Sequence, residues 1–95
     1  MNIKELHPKA KFVSAIDIFK GEKQVTKSIH LSKGAQLPKH QSKTRAFLIC
    51  ITGEVRFENV KGDIFTLKQG DYLVIEPFVD HWLNSDAESY LLLIK

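Results

Sequence analysis

Cysteine is nearly absent from this chain. Cys50 is the only one in 95 residues, so no internal disulfide can form. Such a chain fits a reducing compartment. Long apolar runs are missing too: none approaches the ~20 residues of a membrane-spanning helix. The stretch from Met1 to Pro8 also lacks the apolar segment of a secretory signal. A soluble cytoplasmic protein with no membrane contact is therefore expected. There is no run of like charge. The net charge of +3 comes from 14 basic and 11 acidic residues, interleaved from Lys4 to Lys95. A nucleic-acid binder would gather its cations on one face or pair them with stacking aromatics, so no nucleic-acid partner is expected. No glycine-rich loop opens a helix, no elbow motif carries a catalytic serine, and no paired cysteines signal zinc.

Length points to one domain, residues 1–95, with one modest core. Residues 2–10 are the one place for a helix, and Pro8 keeps it short. The remainder reads as strands. Phe12 to Phe19 precedes the hairpin signal Lys20-Gly21-Glu22-Lys23. From Val25 to Leu31, Val25, Ile29 and Leu31 take one face, and Thr26, Ser28 and His30 take the other. Ala46 to Thr52 is apolar on both faces, as in a strand covered on both sides. Val55 to Glu58, Ile64 to Leu67, Tyr72 to Glu76, His81 to Leu83 and Ser89 to Ile94 complete about eight strands, with turns every ~8–12 residues. That spacing predicts an all-β antiparallel sandwich or barrel. No stretch has the length or period of the crossover helices a parallel sheet needs.

Two histidines stand out, each close after a glycine- and proline-marked strand. Gly34 leads to Pro38 and His40, and Gly70-Asp71 leads to Pro77 and His81. These residues resemble the cupin family of small jelly-roll barrels. The family's first motif runs Gly, His, His, Glu, Gly. Gly34, His40 and Gly53 take the first, second and last of those places at the family spacing. Gly70-Asp71, Pro77 and His81 fit the second motif, with Asn84 one position early. The resemblance covers residues 25–94 and implies a jelly roll with a short N-terminal helical or irregular segment. The sequence departs from the family at three places. Ser42 stands for the second histidine, Ala46 for the glutamate, and Phe78 for the glycine after the proline. A subgroup of short cupins shares the single histidine and the small residue at the glutamate position, and brings no agreed activity with it.

In metal-bearing cupins the two histidines, the glutamate and the second-motif histidine hold the metal. Here His40 and His81 alone keep ligands. Three protein ligands are usual for a catalytic metal. His30, or less directly Glu76, would have to supply the third. The expected cofactor is none, or one weakly bound Zn, Fe, Mn or Ni. If Ala46 faces the interior, alternation sets Leu48 and Cys50 beside it. The resulting pocket of His40, His81, Ser42, Ala46, Leu48 and Cys50 suits a small organic ligand. Phe47, Ile49 and Ile51 would then face away, and a second subunit would cover them in a homodimer.

Cys50, mid-strand among apolar neighbours, reads as a buried hydrophobe and not a nucleophile. Trp82 points away from His81, toward core or interface. Lys43, Thr44 and Arg45 read as a solvated loop. His7 has no identifiable partner and receives no role. Three functions follow. The first is a small-molecule-binding cupin with a degenerate metal site. The second is a metal-dependent oxygenase or isomerase using His40, His81 and His30. The third is a non-catalytic dimeric regulatory module.

Overall fold

The computed structural model describes residues 1–95. Nine strands run in order: β1 (Val13–Lys20), β2 (Val25–Leu31), β3 (Gln36–His40), β4 (Ala46–Thr52), β5 (Glu54–Asn59), β6 (Ile64–Lys68), β7 (Tyr72–Ile75), β8 (His81–Ser85) and β9 (Ser89–Ile94). They form a five-stranded sheet, β1-β2-β9-β4-β7, and a four-stranded sheet, β3-β8-β5-β6. Every pairing is antiparallel. The two sheets face each other as a jelly roll. Alternation sends Ile29, Leu48 and Leu91 inward from the large sheet to meet Val55, Phe57 and Leu83 from the small one.

The N-terminus is the short helical or irregular segment expected: a single 3-10 turn, Ile3–Glu5, capped by the Asn2 side chain. Two expectations need correction. The strand β3 is an addition to the eight foreseen. It holds Pro38, which has no N–H to give a ladder, and it survives because it is an edge strand with an irregularity between Leu37 and His40. The strand β4 is not covered on both sides. Ala46, Leu48 and Cys50 are buried, while Phe47, Ile49 and Ile51 lie half-buried on the outer face.

Gly53, between β4 and β5, has φ near 103°. A Cβ there would collide with the Ser89 side chain and with the backbone of Glu88 and Ser89. Only glycine lets the chain turn this close to β9. No helix is long and apolar enough to cross a membrane.

Candidate functional site

The irregularity in β3 brings His40 directly opposite His81 across the β3–β8 pair. Their ring centroids are 4.2 Å apart and the planes meet at 63°. Each ring is anchored in the same way. His40 Nδ1–H donates to the Pro38 carbonyl at 2.8 Å, and His81 Nδ1–H donates to the Val79 carbonyl at 3.1 Å. A carbonyl only accepts, so Nδ1 carries the proton in both rings and each neutral ring keeps its lone pair on Nε2. Phe57 stacks on His81 at 5.4 Å. Burial holds the His81 pKa below its usual value, and the neighbouring His40 acts the same way, against the Val79 hydrogen bond and Asp80. His81 is thus a neutral acceptor at neutral pH.

Between the histidines the interior is nearly full. Ile29, Leu37, Leu48 and Leu93 leave a cavity of about 30 Å³, room for roughly one water. The usable space lies outside it. A recess of about 210 Å³ shares Phe57, Ile75 and His81 with the inner cavity. It opens between the β5–β6 hairpin and β7, with Phe65 and Val79 on its apolar walls and Asn59, Lys61, Asp63 and Glu76 as its polar groups. The hairpin turn is stiff: Asn59 Oδ1 accepts from the Lys61 and Asp63 N–H groups, and Asn59 Nδ2 donates to Asp63.

Of the expected pocket residues, His40, His81 and Leu48 meet around one cavity. Ser42, Ala46 and Cys50 do not line it. The Ser42 hydroxyl donates to the Thr44 carbonyl within its own loop. Ala46 and Cys50 share the inward face of Leu48 and are buried in the core without lining this cavity. Cys50 is fully buried, and burial raises its pKa, with Asp71 adding to the effect. His30 lies on the opposite face of the large sheet, against His7 and Tyr90. It cannot join the pair. Trp82 is half-buried outside the small sheet, where its N–H donates to Glu58 and Lys39 stands over its ring. Arg45 pairs with Glu76 at 3.8 Å on the surface.

Sequence reasoning missed the recess, because its residues come from a hairpin turn and from strand ends that read as solvated. The alternation Val55, Phe57 already aimed Phe57 inward, and that was the available signal.

Two imidazoles do not make a three-ligand metal centre, and no group of three or more His, Cys, Asp or Glu residues is placed to hold a metal. The donor set therefore does not fit the metal site of metal-bearing cupins.

A cupin domain profile matches residues 28–94. No curated protein matches the chain by sequence. Among solved structures, a cupin superfamily protein from Desulfitobacterium hafniense superposes with a TM-score of 0.86 at 11% identity, covering 98% of this chain and 84% of that one. A cupin-2 domain containing protein from Shewanella frigidimarina gives 0.82 at 18%, covering 100% and 92%. A conserved protein of unknown function from Streptococcus pyogenes gives 0.83 at 14%, covering 99% and 82%. At these identities the structures speak for the fold alone, but with a profile match over more than half of its length the chain belongs to the cupin domain family.

Proposed function

We propose that this cupin binds a small organic molecule in the recess floored by His81, with no metal held by the protein. One observation carries the reading. The His81 imidazole, locked by its Nδ1–H and stacked on Phe57, offers an Nε2 acceptor to an aromatic-walled recess. The ligand is smaller than a drug, since ordinary pockets of that class run ~300–1,000 Å³. It has an apolar, preferably flat, body to lie against Phe57 and Phe65, and a hydroxyl or N–H directed at His81. Lys61 and Glu76 stand at the rim for a polar tail.

Phenol and benzamide are suitable probes. Titrated into ¹⁵N-labelled protein, either shifts the amides of Phe57, Phe65, Val79 and His81. Shifts confined to other surfaces would overturn the reading.

A second reading rests on the same locked tautomers, which are those a metal needs from its histidine ligands. There the bound molecule would complete the coordination of an iron, manganese, nickel or zinc ion on His40 and His81, as in an oxygenase or isomerase. Metal analysis of untagged protein separates the two. Near-stoichiometric metal, lost in His40→Ala or His81→Ala, favours the second.

The outer face of the large sheet bears on the dimer. Phe47, Ile49, Ile51, Leu92, Ile94, Tyr72 and Val74 make it apolar. We propose that it meets the same face of a second copy. A twofold contact sets a patch against itself; this one is apolar at its centre, with Arg45 and Lys95 at one edge.

A further inference from the structure

The first twelve residues bury one side chain against the barrel, and at their end the Phe12 carbonyl accepts from the Ser32 N–H. From Met1 to Phe12 only His7 is buried, at 7% exposure; Ile3 is half-buried and the others are exposed. The segment crosses the outer face of the large sheet at its β1–β2–β9 end. His7 Nδ1 lies 2.5 Å from Ser14 Oγ on β1, and its Nε2 lies 2.8 Å from Ser28 Oγ on β2. A neutral ring donates to one hydroxyl and accepts from the other. Its other neighbours are His30 on β2 at 5.7 Å and Tyr90 on β9 at 5.9 Å, centroid to centroid.

We infer that this segment is a pH-sensitive strap, docked while His7 is neutral and released when His7 gains a proton. Every group facing His7 bears on the sign. From β1 and β2 come two serine hydroxyls, which carry no charge. From β2 also comes His30, 6% exposed, whose Nδ1 has no hydrogen-bond partner. From β9 comes Tyr90, whose phenol burial keeps neutral. The single carboxylate near the cluster, Glu88, is 3.3 Å from His30 Nε2 and so sides with His30. On the strap itself, Lys4 stands 5.7 Å over the Tyr90 ring and brings a positive charge. A cation on His7 would thus be buried, without a carboxylate of its own, beside a second histidine.

Burial and His30 both lower the His7 pKa in the docked state. The free segment titrates near the ordinary value of about 6.5. Protons therefore bind the released strap more tightly. Docking is strongest above about pH 6.5 and weakens as pH falls through that value toward the docked midpoint. The docked-to-free ratio drops about tenfold for each pH unit between the two midpoints. Release would uncover Ser14, Ser28, His30 and Tyr90, next to the apolar outer face.

The test is a ¹⁵N relaxation titration of the whole chain from pH 8 to 5. The strap amides, residues 4–12, are expected to go from rigid to mobile in one step that follows the His7 ring resonances, while β4 and β9 amides stay rigid. His7→Gln, which can still bond both serines but does not titrate, is expected to remove the step. If it unfolds, His30→Gln serves: removing the neighbour that lowers the His7 pKa moves the midpoint upward. A strap whose mobility is flat from pH 8 to 5, a step unchanged in these variants, or loss of β4 and β9 rigidity in the same step would each overturn the inference.

Discussion

His81 does three things at once: it stacks on Phe57, it is locked by the Val79 carbonyl, and it stays neutral because it is buried. Its replacement by Phe keeps a ring against Phe57 and removes both the Nε2 acceptor and the Nδ1–H bond to Val79. His81→Phe is expected to weaken phenol binding about tenfold, the worth of one hydrogen bond of ~1.4 kcal/mol. Calorimetry on the variant reads this directly. The same variant tests pH linkage. Unfolded imidazoles charge near pH 6.5, while the folded ring resists. The unfolded state then binds more protons, and stability falls as pH drops through that value. His81→Phe should flatten that part of the slope in urea melts taken from pH 8 to 5.

Phe78 is a different kind of residue. Its φ of 62° is a left-handed value, yet its ring is 67% exposed. Its N–H donates to the Ser42 carbonyl, tying the loop after β3 to the loop before β8. A non-glycine residue there costs about 1–2 kcal/mol. Part of that returns to a glycine, which loses more chain entropy on folding. Phe78→Gly is expected to leave stability unchanged or raise it by up to about 1 kcal/mol, measured by urea denaturation. A clear loss would mean that the exposed ring packs more usefully than its burial suggests.

At the scale of elements, the β4–β5 corner is the least forgiving place. Gly53→Ala puts a methyl into the backbone of β9, and the left-handed φ adds strain. A loss of about 2 kcal/mol or more is expected in a denaturant melt. This corner was legible in advance, since Gly53 falls at the closing glycine of the cupin first motif. The bounds of Val25–Leu31, Ala46–Thr52 and Ser89–Ile94 were legible too, because alternation or a short apolar run bounded by turns is a strong signal. The strand β3 was hidden by Pro38, since a proline in a run speaks against a strand unless the strand lies at an edge, and edges are not written locally. The candidate site was half legible. Spacing found His40 and His81 but could not tell that β4 presents only Leu48 to them. The recess depends on how the β5–β6 hairpin sits beside β7, a tertiary fact. His7 was illegible for the same reason: its serine partners lie on two different strands, 7 and 21 residues away, which only the β1–β2 pairing brings together.

For the molecule as a whole, the proposed dimer rests on the outer sheet face. Phe47 and Tyr72 stack there at 5.3 Å, and Tyr72 is 64% exposed. A monomer would leave in water a continuous apolar surface that runs across β9, β4 and β7, larger than isolated surface residues make. Sedimentation at micromolar concentration is expected to show a dimer. Tyr72→Glu should cost the isolated subunit little, because the site is open to solvent. In a twofold contact it buries two carboxylates without partners. The dimer constant should weaken about 100-fold or more, with the strand signature in circular dichroism retained. A wild-type chain that sediments as a monomer would defeat the assignment of this face. A dimer indifferent to Tyr72→Glu would move the contact to another surface, and the apolar face would then need a different partner.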